Sequence, residues 1–202
     1  LKGGKIMKVL RKREVEVKKA RIGDQITIQL VGFGEFTATA QKITDRGPLF
    51  MFDDYVASRP MNAKPTNKGG FEKSDLNKWM SDVLLPSFPE AMQGKIENLT
   101  IPTYGQMFGH DDWYNDVMEP DDDERFPLMV KRMNRVADFN NNYKWGWLQN
   151  ATKKKVSTAY FADVTNFGTA TYGTASDSLG VRPVFVLRYA LIPDDGYVHV
   201  IG

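Results

Sequence analysis

From Asp24 to Ile43 apolar and polar side chains alternate. Thr27 and Gln29 separate Ile26, Ile28 and Leu30. Thr37 and Thr39 separate Phe36, Ala38 and Ala40, and Gly32 and Gly34 lie between the two runs. A period of two marks a strand with one buried face, and glycines supply a turn, so residues 24–43 predict a β-hairpin. A hairpin alone is marginal in water and must pack against further sheet or a helix. Candidates follow along the chain. Leu49–Phe52, after Gly47-Pro48, predicts a short buried strand, and residues 57–70, rich in Pro, Asn, Lys and Gly, predict a loop.

Residues 74–85 carry the clearest helical period. Leu76, Trp79, Met80, Val83 and Leu84 form one stripe, Ser74 is a suitable cap, and Pro86 ends the run. Shorter helical turns are expected after Thr103 and over residues 127–136, where Pro127 suits a first helical position. Val181–Leu187 predicts a strand with Pro183 near its start, and residues 196–201 a last one. No solenoid period is present. The pattern gives an α+β fold, twisted and mostly antiparallel, with one or two packed helices. Trp79, Trp145, Trp147 and Phe185 are expected to be buried.

Composition narrows the chemistry. The 202 residues suit one domain, and 42% hydrophobic against 26% charged is ordinary globular balance. Cysteine is absent, which removes disulfides, thiolate metal sites and a cysteine nucleophile. His110 and His199 are the two histidines, too few for a three-histidine metal site. No apolar run is long enough to span a membrane. The opening residues carry no signal-peptide pattern, and Leu1 is not an initiator, so export is left open.

Charge is unevenly placed. Residues 1–21 hold nine Lys or Arg against Glu14 and Glu16. Residues 1–20 therefore read as a basic arm or charge-protected edge strand ahead of a single domain over 21–202, and residues 1–13 are expected to be the less ordered part. The arm could dock the chain to a larger assembly; the net charge of +2 gives no reason to expect nucleic acid. Residues 110–124 hold eight acids and no Lys or Arg. They lack the alternating ligands and mid-loop glycine of an EF-hand, so a solvated loop is expected and no metal. Neither a Ser–His–Asp arrangement nor a phosphate-cradling glycine motif is legible, and no cofactor is expected.

Residues 156–178, VSTAYFADVTNFGTATYGTASDS, place Tyr160, Phe161, Phe167 and Tyr172 among small polar residues. Tyrosines with Ser, Thr, Asn and Gly form the chemistry of adaptable binding surfaces. The same composition fits a hairpin or meander with polar turns and partly buried aromatics, and both readings stand on composition alone.

At these residues a resemblance enters. Trp145-Gly146-Trp147-Leu148, then Ser157, Phe161, Ala162 and Val164, then Ala175-Ser176 and Gly180-Val181-Arg182-Pro183-Val184-Phe185 resemble the C-terminal signature of a family of uncharacterised bacterial and phage domains. Phe71–Trp79 is similar to the start of that family's helix, and the likeness covers roughly residues 24–190. Those domains resemble the C-type-lectin-like fold shared with formylglycine-generating enzymes and retroelement-diversified variable proteins.

The departures matter. The cysteine-oxidising relatives need active-site cysteines and the sulfoxide synthases three histidines. Calcium-dependent lectins carry Glu-Pro-Asn and then Trp-Asn-Asp, whereas here Trp113-Tyr114-Asn115-Asp116 precedes Glu119-Pro120-Asp121. The resemblance thus implies a non-enzymatic ligand-binding domain, phage- or prophage-encoded, at a virion or bacterial surface, recognising a cell-surface protein or glycan. A structural virion module and an enzyme on the related scaffold are the alternatives. The display segment would span residues 140–180. Its ligand-binding residues would be Tyr143, Tyr160, Asp163, Thr165, Asn166, Phe167, Thr169, Thr171 and Tyr172. From Tyr160 onward these are expected to face solvent, with Ala162 and Val164 pointing inward.

Overall fold

The structure is a computed structural model and describes residues 20–188. The basic arm, the edge strand expected within residues 14–18, the strand expected at 196–201 and His199 lie outside the described residues. In chain order the strands are β1 (Gln25–Leu30), β2 (Gly34–Ile43), β3 (Pro48–Phe52), β4 (Ala57–Arg59), β5 (Ile96–Thr100), β6 (Ala137–Phe139), β7 (Asn142–Lys144), β8 (Gly146–Ala151), β9 (Tyr160–Val164), β10 (Ala170–Thr174), β11 (Leu179–Val181) and β12 (Val184–Leu187). They form two five-stranded sheets, ordered β1-β2-β3-β12-β5 and β10-β9-β8-β11-β4, and a β6-β7 ribbon. Every strand pair is antiparallel except β8 with β11. The α+β class, with mostly antiparallel sheets, is as the sequence predicts. Among the described residues no helix is long and apolar enough to cross a membrane.

The β1–β2 hairpin forms in the alternating segment, with Ile26, Ile28 and Leu30 all buried. Three central strands feed two cores at once. Phe50 and Phe52 of β3, Phe161 of β9 and Phe185 of β12 enter a first core together with Trp147, Leu76, Met80 and Leu84. Met51, Ala162, Val164 and Val184, from the same strands, enter a second core with Tyr104, Met107, Tyr114 and Met118. Alternate side chains leave opposite faces of a strand, so a strand between two cores is apolar on both. Ala162 and Val164 point inward as expected.

Gly146 and Gly180 face each other across the one parallel pair. The Tyr55 ring lies against both, and a Cβ on either would overlap it. Burial pushes the Tyr55 hydroxyl up to about 12.

Several expectations are corrected. Residues 57–70 are not all loop, because Ala57–Arg59 pairs with β11; three residues are too few to show a period. The helix starts where expected, with Ser74 Oγ accepting from the Asn77 N–H at 3.0 Å. The regular part, α1 (Asp75–Trp79), lasts five residues and then widens into a π-turn, Met80–Leu84. The wider turn keeps Met80 and Leu84 inward and leaves Val83 exposed. Trp79 is half-buried, edge-on to Phe33 with the Arg59 guanidinium 4.7 Å above its ring.

Residues 127–136 form two 3-10 turns broken at Lys131 rather than one helix. Val181–Leu187 is two strands in different sheets. The chain changes sheet at Arg182-Pro183, where proline lacks an N–H, and the buried Arg182 guanidinium donates to Phe52 O at 2.7 Å and Asn134 O at 3.1 Å. Trp147 and Phe185 are fully buried, but Trp145 is 42% exposed at the end of β8.

The acidic segment is not a plain solvated loop. Further helices are α2 (Glu90–Gln93), α3 (Tyr104–Phe108) and α4 (Asp112–Val117). Asp111 caps α4 through the Tyr114 N–H at 2.8 Å. α3 is the turn expected after Thr103, closed by a capping box of Thr103 and Gln106. Asp121 is a half-buried hub that joins α3 and α4 to β8. It accepts from Asn150 Nδ2 at 2.8 Å, Asp123 N at 2.9 Å, Gly105 N at 3.1 Å and Tyr114 Oη at 3.2 Å, with His110 Nε2 at 3.1 Å. Burial alone would raise its pKa, but these partners hold the carboxyl below its usual range.

Candidate functional site

The segment read as a display surface is a hairpin at one side of the second sheet. β9 and β10 pair with Ala170 opposite Val164, Tyr172 opposite Ala162 and Thr174 opposite Tyr160. Thr165 closes the turn. Its hydroxyl lies 2.7 Å from Thr169 Oγ1 and accepts from the Phe167 and Thr169 N–H groups, while Gly168 supplies a φ of +72°. The turn holds Phe167 out, 67% exposed at its tip.

Tyr160 and Tyr172 are diagonal neighbours on one face, and their rings stack at 5.3 Å and 13°. Trp113, from α4, stacks with Tyr172 at 6.3 Å and 4°. Among the described residues β10 is an edge strand, so this three-ring ladder lies beside a strand border that none of them pairs. Trp145 is nearby, its indole N–H donating to Asn166 Oδ1 at 3.2 Å.

Trp145, Tyr160, Asp163, Tyr172, Gly173, Thr174, Asp177 and Leu179 line a half-open cavity of about 250 Å³. Asp163 is its unusual member. It sits opposite Thr171 on one side and Trp147 on the other, so its side chain leaves the sheet toward the first core. The residue is fully buried, and among the described residues neither carboxylate oxygen has a hydrogen-bond partner. Burial, reinforced by the charge of Asp177, pushes its pKa up to about 7.

The sequence-predicted residues divide accordingly. Tyr160, Asp163 and Tyr172 all border the cavity, but the register sends the Asp163 side chain to the sheet face opposite the two tyrosine rings; Asn166 and Phe167 crown the turn beside the cavity. Thr169 is exposed and Thr171 half-buried. Two assignments to solvent are corrected: Asp163 and Thr165 are buried, Asp163 between sheet layers and Thr165 in the closing bonds of the turn. Tyr143 is 63% exposed but stands on the separate β6–β7 ribbon. Trp145, Asp177 and Leu179 lie within the expected display segment but not among its expected ligand-binding residues; Trp113 lies outside it, since nothing in spacing along the chain joins α4 to this hairpin.

A larger cleft of about 800 Å³ lies elsewhere, bordered by Asn67, Lys68, Glu119, Asp121, Asn150 and Lys154 among others. The Asn67, Asn150 and Asp121 side chains on it are engaged within the fold. Asn67 Nδ2 donates to Thr152 O, Tyr160 O and Ser157 O at 3.0–3.2 Å, and Asn150 bonds to Asp121. Among the described residues no group of three His, Asp or Glu could hold a metal ion.

Together these features define a cysteine-free α+β domain with an aromatic edge and a buried acidic cavity. The chain belongs to the family described as a domain of unknown function, DUF6273, whose model matches residues 46–189. No curated protein and no solved structure matches the chain.

Proposed function

We propose that this domain is a non-enzymatic recognition module whose ligand docks on the β9–β10 hairpin and the side chains around it. The observation that carries the reading is the aromatic edge. Trp113, Tyr160 and Tyr172 stack beside an edge strand, with the exposed Trp145 and Phe167 at the same hairpin. Exposed aromatic clusters are costly to leave in water and supply rigid contact area to a partner. His110, the histidine within the described residues, is engaged instead in the Asp121 hub and stacks on Tyr114 at 4.6 Å, which suits a structural role.

The proposal extends to a C-type-lectin-like scaffold in a phage or bacterial-surface setting, with a cell-surface glycan or protein as ligand. If the hairpin is diversified, the variable positions are Asn166, Phe167, Thr169, Thr171 and Tyr172. Thr165 is excluded because its hydroxyl closes the turn.

The test is a glycan-array and bacterial-surface binding screen with the intact chain. Phe167→Ala and Tyr172→Ala are each expected to weaken the ligand found by about 2 kcal/mol, as buried aromatic anchors do. Wild-type affinity in the folded double variant would place recognition elsewhere.

A further inference from the structure

We infer that the cavity floored by Asp163 is a cation subsite that takes a primary ammonium group of the ligand. The inference rests on the recognition face proposed above and adds the chemistry of what it holds.

The first argument is the orphaned carboxylate. Both Asp163 oxygens are buried and neither has a partner among the described residues. Buried polar groups almost always have one, and an exception calls for an explanation. Nearby donors are committed. Trp147 Nε1 donates to Arg59 O at 2.8 Å, and Trp145 Nε1 to Asn166. Asp121 shows the contrast within the same chain: a partly buried carboxylate with five partners.

The second argument is the cavity wall. Asp177 adds a second carboxylate, and no Lys, Arg or His is among the lining residues. Trp145, two residues before Trp147 and on the same sheet face as Asp163, brings an aromatic side chain to this wall, and ring faces attract cations. Gly173 keeps the floor open, since a Cβ there would lie 2.9 Å from Asp163 Oδ2. A site with two carboxylates, an indole and no basic group suits a cation that donates hydrogen bonds, hence an ammonium rather than a quaternary amine. Trp145 and Asp177 are exposed, so they stand on the solvent side of the pocket.

The ammonium could be a lysine side chain or an amino sugar, and the test separates them. Nα-acetyl-lysine methylamide and methyl glucosaminide are titrated into the full chain, followed by calorimetry and tryptophan fluorescence. Their N-acetylated forms are the neutral controls. At about pH 7.5 at least one amine is expected to bind, and its acetylated form about tenfold more weakly or worse. Asp163→Asn and Asp163→Leu, checked for folding by circular dichroism, lose about tenfold or more; Asp177→Asn loses less.

Lowering the pH to about 5.5 weakens wild-type binding about tenfold or more, because Asp163 then takes a proton. The other titratable groups around Asp163 are Asp177, Tyr55, Tyr160 and Tyr172. The tighter amine identifies the source. Equal binding of amine and acetylated forms, unchanged binding in the Asp163 variants, or no amine binding at millimolar concentration would overturn the inference. A screened ligand lost in Tyr160→Ala/Tyr172→Ala but kept in Asp163→Asn overturns the cation subsite alone. A ligand indifferent to both variants overturns the recognition face as well.

Discussion

At the scale of single residues, Asp163 departs furthest from what its chemistry prefers. A carboxyl whose pKa is raised on folding stabilises the fold only while it is protonated. That stability is fully present below about pH 4, the unfolded value, and is lost as pH rises through about 7. Asp163→Asn removes the charge, so it should raise thermal stability at about pH 8, by at most about 4 kcal/mol for a displacement of this size. The gain should vanish near pH 4. Thermal melts of both chains across this range check it; a gain independent of pH would mean the carboxylate is not the source. Asp121 has the opposite sign: its folded pKa is depressed, so its contribution is present above about pH 4 and lost on further acidification. Both are aspartates in acidic or polar surroundings in the sequence, and local composition does not separate them. What differs is the donors that meet each in space.

At the scale of elements, the β9–β10 hairpin depends on one hydroxyl. Thr165 Oγ1 engages Thr169 Oγ1 and two backbone N–H groups. Thr165→Val keeps the shape and strands those groups, so it should cost about 1–2 kcal/mol. It should also speed hydrogen exchange at the Phe167 and Thr169 amides; unchanged exchange there would show that the backbone holds the turn unaided. The β1–β2 hairpin was legible because one of its faces is wetter than the other, so period two shows. β9 was less so, because both its faces are packed and the alternation that marks a half-buried strand disappears. The helix at 74–85 showed its cap and its stripe. Its passage into a π-turn did not show, since the same apolar spacing suits either register for the first turn. β4 and the break at Arg182-Pro183 are set by partners distant in sequence, and no local pattern announces them.

At the scale of the whole molecule, Trp147 ties the second sheet to the first core. Its ring is fully buried, edge-on to Phe161, and its N–H reaches Arg59 O. Trp147→Ala should cost about 3–5 kcal/mol. Chemical denaturation measures it, and a loss below about 1 kcal/mol would mean that the two layers do not depend on this ring. The sequence showed that Trp147 and Phe185 are interior, but not that the strands carrying them divide two cores. The position of β12 has a further consequence. Val184–Leu187 lies between β3 and β5 although it is the last strand described, so the first sheet has two open borders until residue 187 is present. During synthesis on the ribosome the nascent chain must carry those borders, and the aromatic surface of β3, without their final partner. Chaperone occupancy should therefore persist until this strand has left the exit tunnel, when insertion of one short segment completes the layer and closes the core behind it.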